Sequence, residues 1–150
     1  MANYRPILVQ IWKDPHFQEF TISEKLIFIY LFTNESVTES GVYRLTFKTI
    51  TDMTDVKKSK VEEAILETFK KRIAYDPENS MIWVKNFLRY NGHGKPNLLV
   101  RSILNDYKVS KKSNVWEGYW EHNSDCIEKL INKSAGLQRD IIDRLIVISL

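Results

Sequence analysis

Seven consecutive apolar residues, Leu26 to Phe32, follow almost directly on Thr21-Ile22-Ser23-Glu24. That tetrad is a capping box: the Thr21 hydroxyl accepts from the backbone amide of Glu24, and the Glu24 carboxylate reaches back to the amide of Thr21. A helix is therefore expected from Thr21 to about Asn34. Its apolar residues cover every face, so it has to be covered on more than one side. A chain of 150 residues, 43% hydrophobic, can bury one such core and is too short for two ordinary domains. Ile7 to Trp12, a C-terminal helix or a partner subunit are the available covers. Seven residues fall far short of the roughly 18 that a membrane span needs.

The following residues alternate between strand and helix signals. Gly41-Val42-Tyr43-Arg44-Leu45 reads as a short strand bounded by glycine. A second helix is expected over Phe47 to Met53. After the tight connection Thr54-Asp55-Val56-Lys57, a third is expected over about Ser59 to Lys71, where Val61, Ile65 and Phe69 recur at spacings of four on one face. Two helices joined by so short a turn form a helix-turn-helix. Arg72 to Tyr75 and Met81 to Val84 are β-prone, and the turn-forming Asp76-Pro77-Glu78-Asn79-Ser80 between them makes a hairpin. The order predicts a mainly α fold with a small β-hairpin, a winged helix-turn-helix, followed by a C-terminal helical extension.

Three segments follow: a core with its N-terminal arm over 1–84, a basic loop and helix over 85–112, and an aromatic and helical extension over 113–150. Proline at position 96 suits the first turn of a helix running to about Lys108. Further helical patterns cover Asp125 to Ser134 and Leu137 to Leu150, separated by Gly136. The net charge of +3 is unevenly spread. Residues 1–80 hold 11 Lys and Arg against 12 acids, residues 81–112 hold seven against the single Asp106, and the remainder four against six. A confined positive block is the pattern of a phosphate-contacting surface, although a solvated basic loop gives the same count.

Several of these motifs resemble one family in order and spacing. Trp12-x-Asp14, the capped Lys25-Leu26 helix, Gly41-Val42-Tyr43, the turn into Lys57 through Leu66, Ile73-Ala74-Tyr75-Asp76 and Val84 through Leu88 resemble the N-terminal winged-helix domain of phage replisome organisers and DnaD-like replication initiation proteins. The likeness runs from about Ile11 to Lys108. It implies a domain that binds DNA or self-associates, acting in phage replication initiation or replisome organisation.

In a helix-turn-helix the second helix of the pair enters the major groove by its N-terminal end. Lys57, Lys58, Ser59 and Lys60 occupy that end, and lysine can serve either guanine edges or phosphate. Lys48 and Arg72 are flanking phosphate contacts on this reading, and Lys85, Arg89 and Lys95 extend it into the basic segment. Glu62, Glu63 and Glu67 on the same helix, with an acidic hairpin tip at Asp76 and Glu78, oppose it. They favour the alternative of a protein-binding winged helix that recruits a helicase or inhibits a host factor. A transcriptional regulator would use the same helix-turn-helix. The apolar run Leu26 to Phe32 and the aliphatic Ile141 to Leu150 predict a homo-oligomer.

Catalysis is not expected. Gly92-His93-Gly94-Lys95-Pro96 lacks the span and the hydroxyl of a phosphate loop. No nucleophile elbow, His-Glu-x-x-His or dinucleotide fingerprint is present. His122 and Cys126 share helical spacing but have no second pair of ligands, so neither a metal nor another cofactor is expected. Trp116, Tyr119 and Trp120 follow Lys111-Lys112 and could stack bases, but three large aromatics are more often buried anchors. The one cysteine and the absence of an apolar leader in the opening residues predict a cytoplasmic protein.

Overall fold

A computed structural model describes residues 4–134, together with Asp143 and Val147. Of the expected helix over Leu137 to Leu150, only Asp143 and Val147, both helical, fall among the described residues. The fold is mainly helical with a three-stranded antiparallel sheet. After a 3-10 turn at Val9–Lys13 come helices α1 (Pro15–Glu19) and α2 (Ile22–Thr33). Strand β1 (Val42–Arg44), helix α3 (Phe47–Thr54) and helix α4 (Lys58–Glu63) follow, α4 continuing as a π-helical turn over Ala64–Thr68. Strands β2 (Ile73–Asp76) and β3 (Met81–Val84) form the hairpin. Beyond it lie α5 (Phe87–Asn91), α6 (Pro96–Ser110), a 3-10 turn at Asn114–Trp116, α7 (Tyr119–His122) and α8 (Ser124–Lys133).

The capping box at Thr21 is formed as read. Thr21 Oγ1 accepts from the Glu24 amide at 3.2 Å, and Glu24 Oε2 accepts from the Thr21 amide at 2.8 Å. Glu24 Oε1 also accepts from Thr68 Oγ1 at 2.9 Å, which ties the start of α2 to the end of α4. The helix is covered on fewer sides than its sequence demands: Ile27, Phe28 and Leu31 are buried, but Ile22 is 88% and Leu26 45% exposed. Helix α4 departs from the expected end at Lys71. At Phe69 the backbone amide bonds back five residues to the Ala64 carbonyl at 2.8 Å, and the ring turns into the core. The wider π turn swings that ring inward and closes the helix at Thr68.

The sheet has the order β1-β3-β2, and its central strand β3 is buried throughout. Alternation along the strands gives each face its own core. Tyr43, Ile73, Ile82 and Val84 face α2, α3 and α4, where Phe17, Ile27, Leu31, Ile50, Ile65 and Phe69 fill the first core. Val42, Met81 and Trp83 face the other way, into a core completed by Leu99, Ile103, Val115, Trp116, Tyr119 and Ile127. The C-terminal segments therefore form a second helical layer on the sheet, and the hairpin is the middle of a sandwich. Trp116, Tyr119 and Trp120 are buried anchors of that layer.

Asp76 corrects the expected acidic tip. The carboxylate is 2% exposed and accepts from Ser113 Oγ at 2.6 Å, Asn79 Nδ2 at 2.7 Å, and the amides of Glu78, Asn79 and Asn114 at 3.0, 3.3 and 3.3 Å. It fastens the hairpin to the second layer. The exposed tip consists of Pro77, Glu78 and Asn79.

Candidate nucleic-acid interface

The turn between α3 and α4 is set by Asp55, whose left-handed backbone (φ 57°) caps α3 through its amide to the Thr51 carbonyl at 2.9 Å. Val56 and Val61 then drop into the core, which leaves Lys57, Lys58, Ser59 and Lys60 exposed at the leading end of α4. Lys58 reaches Glu62 at 3.6 Å, one turn further on, with both side chains largely in solvent. An exposed pair of this kind is worth about 0–1 kcal/mol, so a phosphate can take the lysine from the carboxylate. Lys48 pairs with Asp52 on α3 in the same exposed fashion. Lys60 stands near Glu24. Burial raises that carboxyl, but the Thr21 amide, the Thr68 and Thr21 hydroxyls and the Lys60 charge together hold it below the usual glutamate value.

Arg72 is placed differently. Its guanidinium makes a two-pronged pair with Asp14, at 3.2 Å from both Nη1 and Nη2 to Oδ2, and lies 5.8 Å from the Phe28 ring centre. Asp14 in turn caps α1 through the amide of His16 at 2.9 Å. A bidentate, partly buried arginine pair is directional and strong, so Arg72 holds the N-terminal arm to the body of the fold rather than standing free for phosphate.

The basic segment does not join the Lys57–Lys60 cluster in one patch. Lys85 Nζ donates to the Lys70 carbonyl at 3.4 Å, just past the far end of the α4 helix. Lys70 lies ten residues beyond Lys60, which at about 1.5 Å each separates the two groups by roughly 15 Å along the helix. Arg89, exposed on α5, joins Lys85 around His122. Burial and these two positive charges lower the His122 pKa, and its Nε2 lies 3.0 Å from Asn86 Oδ1. Lys95 is exposed before α6, in the second layer.

A groove of about 540 Å³ opens between the N-terminal arm and the faces of α2 and α5. Phe28, Ile29 and Phe32 from α2 and Val84 from β3 line it, with the carboxamides of Gln10, Asn86 and Asn91. Sequence reading missed these amides, because Gln10 lies in the N-terminal arm, more than seventy residues from Asn86 and Asn91 at the two ends of α5. Among the described residues no group of three or more His, Cys, Asp or Glu is placed to hold a metal, and no helix is long and apolar enough to cross a membrane. Comparison of the chain with protein-family models, curated proteins and solved structures finds no match in any of the three.

Proposed function

We propose that residues 22–84 are a winged helix-turn-helix that binds duplex DNA without catalysis, with α4 entering the major groove, in phage replication initiation or replisome organisation. The observation that carries the reading is the exposure of Lys57, Lys58, Ser59 and Lys60 at the leading end of α4, forced by Val56 and Val61 turning inward. The element order α2-β1-α3-α4-β2-β3 supports it. So does the looseness of the Lys58–Glu62 and Lys48–Asp52 pairs. Contact runs through α4 and the start of α3, because the hairpin is covered by the second layer and its tip carries no lysine or arginine.

Each lysine that neutralises a phosphate releases condensed counterion and adds about −0.9 to the slope of log affinity against log salt. Lys58→Ala with Lys60→Ala should therefore flatten that slope by about 1.8 units, read by fluorescence anisotropy on a labelled duplex at several salt concentrations. An unchanged slope would remove α4 from the interface. If Lys58 or Lys60 reads a base edge, its loss should also narrow the gap between a preferred and a random duplex by roughly 1 to 3 kcal/mol.

A second reading has its own support. The hairpin buried beneath α6 to α8, and Glu62, Glu63 and Glu67 along α4, suit a protein partner, as in a helicase-recruiting adaptor or an inhibitor of a host factor. On that reading the same lysines meet carboxylates of the partner.

A further inference from the structure

The N-terminal arm is pinned at two points and open between them. Arg5 donates to Glu39 Oε1 and to the Val37 carbonyl, both at 3.0 Å, with its guanidinium 5.5 Å from the Phe87 ring centre. Asp14 is held by Arg72 as described. Between the pins the 3-10 turn buries none of its own residues, and the groove runs beneath it. Its volume of about 540 Å³ lies within the range of roughly 300–1,000 Å³ typical of small-molecule sites.

The chemistry of the lining is specific. Phe32, part-exposed, and Tyr90, 45% exposed, give it aromatic surface over a floor that includes the buried Phe28. Gln10 and Asn91 make no side-chain hydrogen bond among the described residues, so each offers a full amide donor and acceptor. Asn86 spends only its oxygen on His122. Aromatic surface with free carboxamides is the combination that stacks an unpaired base and reads its edge, since an Asn or Gln amide pairs two-pronged with adenine. Lys13 lines the same groove, and Lys85 and Arg89 flank Asn86 around His122. Cations beside a stacking site are what a single strand needs for its phosphates.

We propose that this groove binds an unpaired nucleobase, with the adjoining phosphates met by Lys13, Lys85 and Arg89. The inference extends the nucleic-acid reading to a second site at the far end of α4, and it gives the otherwise separate basic segment a ligand of its own.

The test uses the whole chain with three probes: a short single-stranded oligo(dA), the same length of abasic strand, and deoxyadenosine monophosphate. The base-bearing strand should bind about tenfold more tightly than the abasic one. Gln10→Ala with Asn91→Ala should erase that advantage, and melting followed by circular dichroism should show the variant folded. Tight binding of the mononucleotide would also support the base site and name a free nucleotide as its source. Equal affinity for the two strands, or no binding of any probe, would overturn the proposal. Duplex binding is read separately with Lys58→Ala and Lys60→Ala, so the failure of either site leaves a distinct pattern.

Discussion

Asp76→Ala should destabilise the protein by about 3 kcal/mol or more, because it strips five donors of one buried, charged acceptor. Two of those donors, the Ser113 hydroxyl and the Asn114 amide, belong to the second layer, so the loss falls on the joint between the hairpin and α6 to α8. Asp76→Asn, which keeps the size but not the charge, should cost less. Urea unfolding measures both, and a change within about 0.5 kcal/mol for the alanine variant would show that the joint does not depend on Asp76. The carboxylate also sets a pH dependence. Burial raises its pKa, but the bonds from Ser113, Asn79 and Asn114 outweigh burial and hold it below the ordinary value of 3.8. A depressed folded pKa means that the contribution is fully present above the unfolded value and is lost as pH falls through the folded one. Wild type should therefore lose stability below about pH 4, and the alanine variant should lose less over the same interval.

Gly41→Ala should be comparably severe, for a steric reason. Gly41 has φ +77°, a left-handed conformation that costs a residue with a side chain roughly 1–2 kcal/mol. A β-carbon there would also lie 2.6 Å from Phe87 Cβ and 3.1 Å from the Val84 carbonyl oxygen. Neither neighbour can step aside: Phe87 is fully buried, and the Val84 amide is bonded to the Gly41 carbonyl at 2.9 Å. Forcing such a contact in a packed core costs typically 1–3 kcal/mol more, for a total of about 2–5 kcal/mol. Gly118→Ala is the control. The nearest atom to its added carbon is a Trp83 ring carbon at 3.7 Å, an ordinary contact, so stability should change by no more than about 0.5 kcal/mol. Equal effects at the two positions would contradict the steric account.

Features governed by neighbours in sequence were legible before the structure. The Thr21 capping box, the periodicity of Val61, Ile65 and Phe69, and the turn residues Pro77 to Asn79 are local signals, and α2, α4 and the hairpin follow from them. Features governed by distant partners were not. Asp76 reads as a surface turn residue because its partners Ser113 and Asn114 are more than thirty residues away. The second layer reads as an extension because nothing local in Val42, Met81 and Trp83 shows that both faces of the sheet are covered. Among the site residues, the exposure of Lys57 to Lys60 follows from the helical period, whereas the capture of Arg72 by Asp14 joins the two ends of the first core and leaves no mark in the sequence.

The duplex-binding account is tested most directly by titrating the wild-type protein onto duplex DNA at rising salt. Contacts from Lys57, Lys58 and Lys60, with Lys48 beside them, predict that log affinity falls linearly with log salt at a slope between about −3 and −4. No measurable binding to any duplex at about 50 mM salt would contradict it and leave α4 as a surface for a protein partner.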